Sequence, residues 1–142
     1  MSKLSFQMED HPDAATKHLF DANVLEKSNR PDGAAYLAGY VVECSLKSLY
    51  LLENGPPLPQ NWTHHRLKSL VSNVGAMTGA RSAKYTTALV LSIPSMGISA
   101  WDFNMRYSAA GSIDPNRAAD WLIEAICVYE DTIAGMKLDG VI

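Results

Sequence analysis

Residues 34–53, AAYLAGYVVECSLKSLYLLE, decide the fold of this chain. Only Glu43 and Lys47 carry charge before Glu53 closes the run. At about 100° per residue, Tyr36, Tyr40, Glu43, Lys47 and Tyr50 fall on one narrow stripe of a helix. Nearly every other direction is apolar, with Leu37, Val41 and Leu52 on one flank and Val42, Leu46 and Leu49 on the other. A helix apolar almost all round belongs at the centre of a bundle, covered by the rest of the chain. Asp32 reads as its N-cap, and Asn54-Gly55-Pro56-Pro57 as its stop. Glu43 stands four residues before Lys47, the favourable order for an ion pair within a helix. Any chemistry is expected to face this stripe.

The flanking segments supply the cover. A first helix is expected to start between Asp10 and Asp13, with Pro12 in its first turn, and to run to about Ser28. Ala15, Leu19, Ala22 and Leu25 form its inner face. The breakers Asn29-Arg30-Pro31-Asp32-Gly33 make a short turn, so these two helices should be antiparallel neighbours. After a proline-rich loop, Thr63 reads as the N-cap of a third helix, built on Leu67, Leu70, Val71 and Val74 and ending near Gly75. A fourth is expected from about Arg81 to Ser92, with Tyr85, Ala88 and Leu89 inward. Residues 95–113 lack helical period, and a stretch that long in a small domain reads as a functional loop or an irregular lid. Asp114-Pro115 opens the last helix, whose buried stripe is Ala118, Trp121, Leu122, Ala125, Ile126, Tyr129 and Ile133. The expected fold is all-α: one domain over residues 1–142, a compact antiparallel bundle of about five helices, two of them short. Residues 1–9 read as a flexible arm or a docking segment, and residues 138–142 as a frayed tail.

The chain has 142 residues with 12 basic and 15 acidic side chains, a formal net charge of -3. That balance argues against a general polyphosphate-binding surface but permits a local basic site. Cys44 and Cys127 sit in apolar helical patterns and read as reduced core thiols. The opening MSKLSFQMEDH has no apolar core of the secretory kind. Charges inside the central run argue against a membrane span. The expected setting is cytoplasmic. No glycine-rich phosphate loop, hydrolase triad or metal-ligand spacing stands out, so no cofactor or metal is expected.

The candidate polar cluster is Tyr40, Glu43, Lys47, His64, Trp101, Arg106 and Tyr107. Glu43 and Lys47 read either as a ligand-facing pair or as a buried ion pair that fixes helix register. Adjacent histidines on a helix point about 100° apart, so His64 and His65 do not chelate one ion; His64 caps a helix start or meets an anion. Arg106 suits a phosphate with Tyr107 stacking a base, or a two-bond grip on a carboxylate. The expectation for the loop is that Arg106 folds back onto Glu43 beside a groove lined by Tyr40, Tyr107 and His64.

Four segments in order, AAYLAGYVVECSLKSLYLL, THHRLKSL, WDFNMRY and ADWLIEAICVYE, resemble the HEPN domain family over residues 14–134. The Leu37–Lys47 element is the most specific part. The resemblance implies a helical bundle, commonly a two-fold dimer, in a prokaryotic setting. Many members are metal-independent ribonucleases, often toxins; others pair with a small nucleotidyltransferase, as its antitoxin or as a second subunit. Ribonuclease members carry an arginine with a histidine shortly after it. No histidine follows Arg30, Arg66, Arg81, Arg106 or Arg117 within six residues. The resemblance therefore implies a non-catalytic HEPN-like module that forms homodimers and binds a partner protein, a nucleotide or RNA. The alternatives are an RNA-cleaving toxin with a substituted site drawn from Glu43, Lys47, His64 or Arg106, and the substrate-side subunit of a two-chain nucleotidyltransferase.

Overall fold

A computed structural model of the chain describes residues 1–62 and 66–142. Among these the fold is a compact helical bundle without a β-strand. Its helices are α1 (His11–Lys27), α2 (Pro31–Asn54), α3 (Leu67–Met77), α4 (Ala88–Leu91), α5 (Pro115–Tyr129) and α6 (Gly135–Leu138). A π-turn over Glu130–Ala134 joins the last two into one rod. No helix among the described residues is long and apolar enough to cross a membrane.

The long apolar helix is the axis. Residues 41–49 of α2 are buried without a break, and α1, α3 and α5 pack against it. α1 returns onto α2 through a turn in which Asn29 takes a left-handed backbone, with φ of 59°. Asp10 starts α1 by accepting from the Asp13 amide, and Pro12 occupies the first turn. Asp114 starts α5 by accepting from the Asn116 and Arg117 amides. Both starts agree with the sequence.

Three expectations are corrected. Asp32 is not the N-cap of α2, because Pro31, which has no amide to satisfy and a fixed φ, already opens the helix. Its carboxylate instead reaches the far loop, accepting from the amides of Gly111 at 2.6 Å and Ile113 at 3.0 Å. The fourth helix is only Ala88–Leu91, and Ala88 is exposed rather than inward. Glu53 at the end of α2 captures the Gly79 amide and the Ser82 amide and hydroxyl, which holds the preceding segment in turns. In the last helix, Ile126 and Tyr129 are only half-buried, whereas Val128, outside the expected stripe, is fully buried. The Thr63 cap lies outside the described residues.

Residues 95–113 form a chain of 3-10 turns anchored by Trp101, which is 1% exposed. Its indole nitrogen donates to the Tyr36 carbonyl at 2.9 Å. The ring lies directly over Gly39, where an added Cβ would come within 2.1 Å of it. Glycine at this place in Leu37-Ala38-Gly39-Tyr40 is thus the seat of a tryptophan. Residues 1–9 curl back on themselves through paired Phe6 and Glu9 backbone bonds, and Ser2 donates to Asp10. At the other end, Lys84 and Tyr85 donate to Asp139, and Val141 and Ile142 pack against the core.

Candidate functional site

The polar stripe of α2 meets a second one on α1. His11, Ala14 and His18 line the edge of α1 that faces Tyr40, Glu43 and Lys47. With residues 8–10, Cys44 and Phe103 they enclose a cleft of about 400 Å³. The position follows from local rules: residues seven apart on a helix share a face, and the short α1–α2 turn lays that face against the α2 stripe.

Glu43 and Lys47 bond each other at 2.6 Å, each only 7% exposed. Such a pair is roughly neutral for stability while intact, because attraction and desolvation nearly cancel. His11 bonds Glu9 at 3.0 Å through its Nε2 atom. Burial, followed by Lys47, lowers its pKa, and Glu9 and Glu43 oppose the shift. His18 is also held below the usual imidazole range, first by burial. Its Nδ1 is buried and has no hydrogen-bond partner among the described residues. Its ring lies 5.5 Å from that of Tyr40. Tyr40 bonds the Tyr36 hydroxyl at 3.0 Å, and burial pushes its phenol well above the ordinary range. Burial also raises the Cys44 thiol to about 12, which leaves it inert as a nucleophile.

The structure gathers Tyr40, Glu43 and Lys47 and separates the other expected residues. Trp101 stands behind Tyr40, their ring centroids 4.9 Å apart, as a packing residue. Arg106 does not fold onto Glu43. That carboxylate already has Lys47 one turn away, and Arg106 is exposed, with its guanidinium over the Tyr107 and Phe103 rings at 4.8 and 5.6 Å. Tyr107 is 75% exposed and outside the cleft. Phe103, which lines the cleft, brings Arg106 to its rim. His64 lies outside the described residues. His11, His18 and Glu9 were absent from the expected cluster, although the seven-residue spacing of the two histidines was a readable signal.

A wider hollow of about 820 Å³ lies along α5. It is a more open surface, along which Asp114 caps α5, Glu124 accepts from the Ile98 amide at 3.5 Å and Arg117 rests 5.7 Å from the Trp121 ring. The α1–α2 cleft is the better candidate because its polar groups converge and one of them lacks a partner. Among the described residues, no group of three or more His, Cys, Asp or Glu side chains could hold a metal ion. No family model, curated protein or solved structure matches this chain.

Proposed function

We propose that this chain is a HEPN-like, non-catalytic helical module that binds a nucleotide-class ligand in the α1–α2 cleft. The observation that carries the reading is the cleft itself, where Tyr40 and Phe103 share one space with the imidazoles of His11 and His18. Ligand pockets set a few convergent polar groups among apolar and aromatic walls, which is the composition of this cleft. A planar base supplies both the ring for the aromatic walls and the polar edge for His18. A binding role rather than a catalytic one is supported by the groups themselves: Lys47 is spent on Glu43, and the Cys44 thiol stays protonated. Such a module fits beside an antitoxin or a small nucleotidyltransferase, the settings the family resemblance implies.

A second copy of the chain is part of this reading. Phe20 and Val24, one turn apart on the outer face of α1, are 73% and 58% exposed. Paired isologously, they would be covered by their own counterparts. Titration with nucleoside monophosphates, followed by NMR, tests the ligand: saturable shifts at His18 and Tyr40 are expected. Their absence with all four common ribonucleotides, or RNA cleavage in the presence of chelator, refutes the proposal.

A further inference from the structure

We infer that a nucleotide enters this cleft base first and leaves its phosphate at the rim, on Arg106. The inference rests on the proposed nucleotide site and adds its orientation. Inside, among the described residues, the charged side chains lining the cleft are Glu9, Asp10, Glu43 and Lys47, so three carboxylates face one ammonium, a balance of -2 with neutral histidines. Its described cation, Lys47, is already bonded to Glu43. His11 is bonded to Glu9, and Asp10 to Ser2. A phosphate pushed into this space would lose its water and meet net negative charge, with no uncommitted lysine or arginine among the described lining residues to receive it. A base has the opposite fit. It carries no charge to desolvate, it can lie against Tyr40 and Phe103, and it offers a polar edge to the His11 and His18 side chains that line the cleft.

The rim has what the interior lacks. Arg106 is exposed and has no carboxylate partner among the described residues. Its guanidinium is 5.6 Å from the centroid of Phe103, whose side chain lines the cleft. Tyr107 supports the guanidinium from its other neighbour position at 4.8 Å. A planar fork held against two rings is oriented for the bidentate contact that phosphate oxygens favour. Base and phosphate recognition are thereby divided between α1–α2 and the loop.

The test compares each of the four ribonucleosides with its 5′-monophosphate by calorimetry at low salt. The proteins are the wild type, Arg106→Ala and His18→Phe, each checked for an unchanged helical circular dichroism spectrum. One nucleoside is expected to bind, with its monophosphate about two- to fivefold tighter, the range of an exposed ion pair. Arg106→Ala should bring the monophosphate to the nucleoside's affinity and leave the nucleoside unchanged. His18→Phe should weaken both by about the same factor. The orientation is overturned if nucleoside and monophosphate bind equally to the wild type, if Arg106→Ala weakens both alike, or if inorganic phosphate displaces the nucleoside. Those results leave the nucleotide site standing, whereas a complete absence of binding by all eight compounds ends the site and the orientation together.

Discussion

Replacing Gly39 with alanine tests the packing that sets the back wall of the cleft. An added Cβ would lie 2.1–2.2 Å from three ring atoms of Trp101. Ordinary carbon contacts need about 3.5–4.0 Å, so the ring would have to retreat by more than 1 Å. It has nowhere to go: it is 1% exposed, packed on Tyr40 at 4.9 Å and bonded to the Tyr36 carbonyl. If the tryptophan is expelled, the loss approaches that of truncating a buried aromatic, about 3–5 kcal/mol. Alanine returns roughly 1 kcal/mol through its better helix propensity. The net expectation is a loss of about 2–4 kcal/mol in urea unfolding followed by circular dichroism. The same substitution in a Trp101→Ala background should reverse sign and stabilise by roughly 0.5–1 kcal/mol, because only the propensity gain remains. An equal loss in both backgrounds, or no loss in the wild type, refutes the reasoning.

Leu46→Ala should destabilise by about 2–5 kcal/mol, measured the same way; a loss below that range would place Leu46 outside the core. Lys47→Met strands the Glu43 carboxylate and should cost about 3–5 kcal/mol, most of it recovered when Glu43→Leu is added; a single-variant loss under 1 kcal/mol would mean an exposed pair. Burial lowers the pKa of both His11 and His18 below 6.5, so the unfolded chain takes up protons first. Their contribution is therefore complete above pH 6.5 and is lost as pH falls toward their folded values, a slope that His11→Gln and His18→Gln should flatten in thermal melts. Light scattering at tens of micromolar should give a dimer mass, and Phe20→Asp with Val24→Asp should return a monomer; a wild-type monomer ends the pairing.

What the sequence disclosed follows the range of the forces involved. α1 and α5 are specified by local signals, namely a 3.6-residue pattern, a capping carboxylate and a first-turn proline, and α2 by its long apolar pattern and the breakers around it. The fourth helix failed because its fate depends on Glu53, which sits on another element and takes the Gly79 and Ser82 amides. Asp32 failed for the complementary reason: a good local cap has a use farther along the chain. Half of the cleft was legible as the Tyr40, Glu43 and Lys47 stripe. The other half was spelled by His11 and His18, but which face of α1 turns inward is fixed by packing. The expectation gave Glu43 two partners, Lys47 and Arg106; Lys47 is one turn away and bonds it, whereas Arg106 is on a distant loop and stacks on its own neighbours Phe103 and Tyr107.

Asp32 also bears on how much slack the rim has. It grips the loop at Gly111, 79 residues away in sequence, while Trp101 pins the same loop over Gly39. The part carrying Arg106 and Tyr107 hangs between these two fixed points like a short bridge deck. A span so held samples fewer shapes than a tether of the full loop length, and it surrenders less entropy when it orders around a guest. The carboxylate that reads as the beginning of a helix thus sets the tension of the distant edge proposed to receive a phosphate, without touching it.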